Sequence, residues 1–334
     1  MEPCLVTERH WSGREVFVTG GTGLIGSWMV KSLIASGARV TALVRNSEKS
    51  SELYLSGVFK QVNIVRGSVE DEKTIEKIFS ETSFGAIFHL ASMNDNRSLL
   101  NPSSEIFETN VTGVWNVFSA HRRHLQPECI ILMTSSIELD RTKKYIKEQK
   151  NQSGKSLHSY HITKKCAEFI AESFLEQYGT NAVIVRLPNV FGGGDFNFSR
   201  IVPSVIRDLI RGHSPRLRSV DDVARRYIYV EDVVQALLLL AKHQASGRAN
   251  AHKFDFRDTP SFTTTSLVGK ISKEFGEASF VSGEELSQQG NAEVACGDEC
   301  HTVESVGWRE ETGLVDGLRK TIEWYRAAGA VVLN

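Results

Sequence analysis

Six short runs rich in β-branched and aromatic residues alternate with stretches of helical apolar period, and a glycine turn joins the first run to its helix. After Arg186 the rhythm breaks into shorter strand-like pieces and helices. Together these observations predict an α/β protein built as a Rossmann-type doubly wound parallel sheet, followed by a smaller C-terminal α/β lobe.

The first strand is Val16-Phe17-Val18, whose composition suits a central parallel strand buried on both faces. Gly20, Gly23 and Gly26 follow at the spacing G-x-x-G-x-x-G. The first allows a sharp turn, the second lets backbone approach a pyrophosphate, and the third lets the next helix pack close to the strand. That helix is expected from Leu24 to Ala35, with Ile25, Met29, Leu33 and Ile34 as its inward stripe. Its free N–H groups and positive dipole end suit phosphates. Further strands are expected at 39–44, 62–65, 86–90, 129–133 and 182–186, the fifth ending in Thr134-Ser135-Ser136. Helices are expected through Ile75, Ile78 and Phe79, from Ser104 to His124, and from Tyr160 to Tyr178, with a polar loop over 140–158. Beyond Arg186 the pattern gives a loop at 191–195, helices at 201–211, 230–242, 265–275 and 314–326, and a strand-like piece at 252–256.

The expected organisation is a dinucleotide-binding domain over 1–186 and a substrate lobe mainly over 187–334, with a segment near 226–257 returning to the main sheet. Ligands collect beyond the carboxyl ends of the strands. Gly20 to Gly26, Asn46, Ser68, His89 to Ser92, Ser135 and Pro188 to Val190 all fall at such ends.

The 334 residues carry a net charge of −1 and no long basic run, which argues against nucleic acid or a membrane surface as partner. No apolar run reaches the roughly 18 residues of a membrane helix, and the first ten residues show no signal-peptide core, so a cytoplasmic protein is expected. Five scattered cysteines suit reduced thiols. Cys296, Cys300 and His301 lack a second ligand cluster, so no metal is expected.

Tyr160 and Lys164 stand four apart on one helix face. An ammonium beside a phenol favours the phenolate, and such a tyrosine can accept an alcohol proton while hydride leaves the same carbon. Ser135, at the end of the preceding strand, is placed to hold and polarise the substrate oxygen.

With these residues in view, the chain resembles the extended short-chain dehydrogenase/reductase (NAD-dependent epimerase/dehydratase) family over essentially its whole length. The matching pieces are Thr19-Gly20-Gly21-Thr22-Gly23-Leu24-Ile25-Gly26, His89-Leu90-Ala91-Ser92, Asn110-Val111-Thr112-Gly113, Ser135, Tyr160 with Lys164, Pro188-Asn189-Val190-Phe191-Gly192, and 226–232. Within the family the likeness is to nucleotide-sugar 4-epimerases and especially CDP-glucose 4,6-dehydratases, through 10–20, 192–203 and Val306-Gly307-Trp308-Arg309. The resemblance implies Ser135, Tyr160 and Lys164 as catalytic trio. It implies Gly20, Gly23, Leu24, Ile25, Gly26, Ser68, Val69, Leu90, Ala91, Ser92 and Pro188 around a dinucleotide, with Tyr160 and Lys164 at its nicotinamide end. Asn189 and Arg226 would hold the diphosphate of a nucleoside-diphosphate sugar, with Ser136 and Arg200 as further substrate candidates. A homodimer through the helices of 104–124 and 160–178 is also implied.

Two departures from the family pattern matter. Nucleotide-sugar dehydratases follow the strand-end Ser or Thr with Asp and then Glu or Lys, which serve the elimination. Counted from Ser135, those places hold Ser136 and Ile137, and Glu138 points to the other face if the strand continues. The expected reaction is therefore 4-epimerisation or 4-keto reduction, the alternative being a CDP-glucose-type 4,6-dehydratase with altered acid and base. An alternative of another class is a non-catalytic dinucleotide-binding regulator. Secondly, the second strand ends in Val44-Arg45, without the acidic residue that binds the ribose of NAD. Arg45 would attract the extra phosphate of NADP, so NADP(H) is expected to be accepted at least as well as NAD(H).

Overall fold

The computed structural model describes residues 8–45, 51–94, 104–124, 128–139, 159–215, 224–246, 251–276 and 300–329. Asn46, the loop expected over 140–158 and Cys296 lie outside the described residues.

Strands β1 (Glu15–Thr19), β2 (Arg39–Val44), β3 (Asn63–Arg66), β4 (Ala86–His89), β5 (Ile130–Ser136) and β6 (Ala182–Leu187) pair in parallel. With β9 (Lys253–Asp255) and β11 (His301–Thr302) they form an eight-stranded sheet in the order β11-β9-β6-β5-β4-β1-β2-β3. The reversal of strand order lies between β1 and β4, which opens a crevice at their carboxyl ends.

Side chains alternate between two layers, as the pleat requires. Val16 and Val18 join one core, which also takes in helix α1 (Leu24–Ala35) and helix α6 (Val230–Ala245). Phe17 joins the other, with α2 (Glu72–Glu81), α4 (Ser159–Tyr178) and the interrupted helix α3. Helix α3 comprises Ser104–Phe107, a π turn at Glu108–Thr112, and Gly113–Arg123. Ile75, Ile78, Phe79, Ile106, Val114, Val117 and Phe118 are buried, as their period predicts.

In α1 the buried set is wider than the expected stripe. Leu24, Trp28, Met29, Val30 and Leu33 are buried, whereas Ile25 and Ile34 are only partly so. The reason is that α1 is covered from two sides, by the sheet and by α6. In addition, the Trp28 indole N–H donates to the Gly193 carbonyl at 2.8 Å, which pins α1 to the second lobe.

Pro188 has no N–H to donate, and there the chain leaves the main sheet after β6. It continues as β7 (Asn189–Phe191) in a second sheet of order β10-β8-β7, with β8 at Arg225–Tyr229 and β10 at Ser261–Phe262. Of the 226–257 segment expected in the main sheet, α6 packs on it and β9 pairs with β6, but β8 pairs with β7 instead. Helices α5 (Ile201–Ile210), α7 (Thr264–Glu274) and α8 (Leu314–Ala328) complete the lobe. Among the described residues no helix is long and apolar enough to cross a membrane.

Candidate active site

The glycine turn shows why two of its three glycines are required. Gly20 has φ +72°, and a Cβ there would lie 2.8 Å from the Ala91 nitrogen on the loop after β4. A Cβ on Gly26 would lie 2.0 Å from the Gly20 carbonyl oxygen, so α1 could not start so close to β1. Gly23 is different: its φ is −73° and its nearest neighbour is 3.3 Å away. Gly23 is exposed, and only the Gly20 carbonyl oxygen approaches it, so its backbone is open to the crevice. Helix α1 begins at Gly23 without a side-chain cap and without an acidic residue in its first turn, which leaves its N–H groups to an anion. These features fit the pyrophosphate of a dinucleotide.

Beneath the turn, the Thr19 hydroxyl accepts the Ala91 N–H at 3.2 Å and lies 3.0 Å from His89 Nδ1. The ends of β1 and β4 are thereby tied together, which fixes Leu90 and Ala91 against the turn. Burial and then the Lys164 charge push the His89 imidazole down to about 3, so it is neutral and serves as a hydrogen-bonding strut.

The π turn places Asn110 at the same site. Its carboxamide oxygen accepts from Met93 N at 2.8 Å and Ser92 Oγ at 3.1 Å, and its Nδ2 donates to Met93 O at 2.9 Å and Thr163 Oγ1 at 3.0 Å. Thr163 in turn donates to the Tyr160 carbonyl at 2.9 Å. A fully bonded amide thus links the loop after β4 to the first turn of α4. Asn116 supports the neighbouring segment by donating to the Val69 carbonyl at 3.0 Å, which sets Ser68 and Val69 beside the crevice.

Tyr160 and Lys164 stand one turn apart on α4, as the spacing predicts. Their electrostatics differ from the sequence expectation. Burial raises the Tyr160 phenol; the positive charge that opposes this is Arg200, while Glu138 adds to it. Lys164 is 6% exposed and donates to the Thr134 carbonyl at 2.9 Å. Burial lowers its ammonium to about 8, against the pull of Glu168.

Ser135, expected at the reacting carbon, faces elsewhere. It continues the β5 face of Ile131 and Met133 toward α4, where its hydroxyl favours the Glu168 carboxylate without completing a hydrogen bond of normal geometry. Glu168 is fully buried and paired fork to fork with Arg186 of β6, at 2.8 Å (Nε to Oε1) and 2.7 Å (Nη2 to Oε2). Burial alone would raise that carboxyl, but the Arg186 guanidinium holds it down to about 2. Ser136 stands on the other face of the strand, and there the strand stops. Its Oγ accepts the Glu138 N–H at 3.2 Å, a serine turn that redirects the chain and brings Glu138 within electrostatic reach of Tyr160. The condition under which Glu138 would have pointed away, a strand continuing past Ser136, is not met.

On the second lobe, Arg200 pairs with the buried Asp195 at 3.2 Å and reaches the field of Tyr160. The Asp195 backbone carbonyl accepts the Tyr325 hydroxyl. Asn189 and Arg226 lie on adjacent strands, the Asn189 amide donating to the Arg226 carbonyl at 3.2 Å. The Arg226 side chain is 8% exposed. Pro188 is buried where β6 gives way to β7. Arg45 is exposed at the far edge, next to the carboxyl end of β2. Asp195 and Glu168 were not singled out by sequence reasoning, and Glu138 was read there only as pointing to the other face. For Glu168 the signal was present, since it repeats the Tyr160 to Lys164 step along one helix face.

Residues 16–253 match the NAD-dependent epimerase/dehydratase family model. The chain is similar to a dTDP-4-dehydro-6-deoxy-D-allose reductase of a Streptomyces species, 30% identical over 245 residues that cover 70% of this chain and 74% of that protein. It is 23% identical over 341 residues to the CDP-glucose 4,6-dehydratase of Salmonella typhimurium, covering 97% and 93% of the two chains. Among solved structures, UDP-glucose 4-epimerase of Thermotoga maritima with UDP-glucose matches at a TM-score of 0.72 and 21% identity, over 94% of this chain and 99% of that one.

Proposed function

The chain belongs to the NAD-dependent epimerase/dehydratase family, and on that premise we propose that it transfers hydride at C4 of the hexose of a nucleoside-diphosphate sugar without eliminating the C6 hydroxyl. It acts as a 4-ketoreductase or, where hydride returns to the opposite face of the same carbon, as a 4-epimerase. The observation that carries this reading is Ile137. With Ser136 as the strand-end hydroxyl, the two places that serve elimination hold Ile137 and Glu138. A carboxylate is kept near Tyr160, but the acid that would protonate a leaving hydroxyl is replaced by a hydrocarbon.

In the reductive direction, a bound nicotinamide dinucleotide supplies the hydride. Tyr160, whose phenol burial keeps protonated, donates its proton to the C4 oxygen. The Ser136 hydroxyl holds that oxygen, the Arg200 charge favours the phenolate left behind, and the buried Lys164 ammonium would hold the ribose of the bound dinucleotide. Ketone, hydride and proton together give the alcohol, and no other bond breaks. Asn189, Arg200 and Arg226 bind the diphosphate side, the arginines by charge-assisted bonds.

The Lys164 charge gives this reading a pH signature. An ammonium lowered to about 8 is charged below that value and neutral above it. The reductive kcat/KM is therefore expected to fall as pH rises through about 8, and a profile flat to pH 10 would contradict this role for Lys164. The substrate is found by a thermal-shift screen with CDP-, UDP-, GDP- and dTDP-sugars, followed by product analysis. A product altered only at C4 is expected. A 4-keto-6-deoxy sugar formed from a nucleoside-diphosphate hexose would overturn the argument from Ile137.

A second copy of the chain covers the outer face of α3 and α4. Trp115, Phe169 and Tyr178 there are 52%, 57% and 51% exposed. Sedimentation equilibrium is expected to show a dimer, and Trp115→Glu with Phe169→Glu a monomer; a monomeric wild type would refute the interface.

A further inference from the structure

We infer that Glu52 and Trp324 are positioning residues: they lock the glycine loop ending in Asp195 against the dinucleotide-binding domain, and Asp195 in turn aims Arg200 at the substrate. The inference rests on the diphosphate-binding role proposed for Arg200 and adds to it the contacts that hold that side chain in place.

The loop is the run Gly192-Gly193-Gly194-Asp195, and two of its glycines are required by what lies against them. A Cβ on Gly193 would lie 2.2 Å from Trp324 Cγ on α8. Gly194 has φ +87°, and a Cβ there would lie 2.9 Å from Glu52 Cβ. Glu52 opens the short helix Glu52–Leu55, which falls between β2 and β3 in the chain. The loop is therefore gripped by one element from each lobe.

Directional bonds fix the grip. Glu52 is buried, and its carboxylate joins the two lobes: Oε2 accepts the Trp324 indole N–H at 2.7 Å, and Oε1 accepts from the Lys31 ammonium of α1 at 3.1 Å. Lys31 lies over the Trp28 ring, 4.4 Å from its centroid, and Trp28 donates to the Gly193 carbonyl. The residue after Trp324, Tyr325, donates its hydroxyl proton to the Asp195 carbonyl. Asp195 is buried as well. Its Oδ1 accepts the Asn197 N–H at 3.0 Å and its Oδ2 accepts from Arg200 Nη1 at 3.2 Å. The Arg200 side chain is 42% exposed, so its direction is set by Asp195 and not by packing. Burying a carboxylate is costly, and packing alone would be served better by a hydrocarbon. Two buried carboxylates in series, each with a partner on either side, instead fix where one guanidinium points.

The test is a double-mutant cycle read by calorimetry, with UDP, CDP, GDP and dTDP as probes on protein loaded with reduced dinucleotide. For whichever probe binds tightest, Arg200→Gln and Trp324→Phe are each expected to weaken binding at least fivefold. The double variant is expected to bind no more than about twofold more weakly than Arg200→Gln alone, because Trp324 acts through Arg200. Glu52→Ala should lose as much as Trp324→Phe, and Glu52→Gln, which keeps an acceptor for the indole N–H, should stay within about twofold of wild type. Dinucleotide affinity within about twofold throughout reports that each variant is folded. Losses that multiply in the double variant, or Trp324→Phe and Glu52→Ala binding as wild type, would overturn the lock while leaving Arg200 in its role. Arg200→Gln binding as tightly as wild type, or no probe binding at all, would remove that role and the lock with it.

Discussion

Replacing Tyr160 with phenylalanine is expected to lower kcat for 4-keto reduction by about 10²–10⁴-fold while dinucleotide and nucleotide-sugar binding stay within a few-fold. The change removes one oxygen from a partly buried side chain and leaves the ring in place. The lost term belongs to the transition state, where the phenolic proton moves to the C4 oxygen as hydride arrives. Binding should survive because the pyrophosphate contacts proposed for the dinucleotide come from the glycine turn and α1, and the Asn110 link reaches α4 through the Thr163 side chain and the Tyr160 backbone. Hydride transfer from reduced cofactor, followed by loss of nicotinamide absorbance, provides the readout. A variant retaining a tenth or more of the wild-type rate would contradict the assignment. An unaffected variant whose wild type also shows no turnover on any sugar nucleotide would favour the regulatory alternative.

Glu168→Leu is expected to cost about 3–5 kcal/mol of stability, because it removes the carboxylate paired fork to fork with the buried Arg186 guanidinium between α4 and β6. For a chain of this size that corresponds to a fall in Tm of about 4–7 °C. Removing both charges as Glu168→Leu with Arg186→Met takes away the buried guanidinium as well and should recover most of the loss. Thermal and urea denaturation of the two variants checks this, and a single variant within about 1 kcal/mol of wild type would refute it. The same pair matters to the site because Glu168 lies one turn beyond Lys164 and supports its ammonium against burial.

The parallel sheet was legible because its strands are buried on both faces and read as apolar runs, which is why β2 and α1 were bounded to the residue. The Tyr160 and Lys164 pair was legible because helical spacing alone puts both on one face. Features set by contacts distant in sequence were not legible. The choice between Ser135 and Ser136 depends on which face of β5 looks at α4, and a one-residue shift reverses the answer. Glu138 was hidden because a serine turn, which competes with strand extension, ends β5 at Ser136. The electrostatic partner of Tyr160 was misread for a related reason. Arg200 comes from the second lobe and is held there by Asp195, a contact no local pattern announces.

The central claim is that the site performs hydride transfer at C4 and nothing further. It is tested most directly by supplying a nucleoside-diphosphate 4-keto-6-deoxyhexose with C4-deuterated reduced cofactor and, separately, the parent nucleoside-diphosphate hexose with oxidised cofactor. Nuclear magnetic resonance should locate the deuterium at sugar C4 in the first reaction and find the C6 hydroxyl intact in the second. Deuterium delivered to C6, or loss of the C6 hydroxyl from the parent hexose, would contradict it.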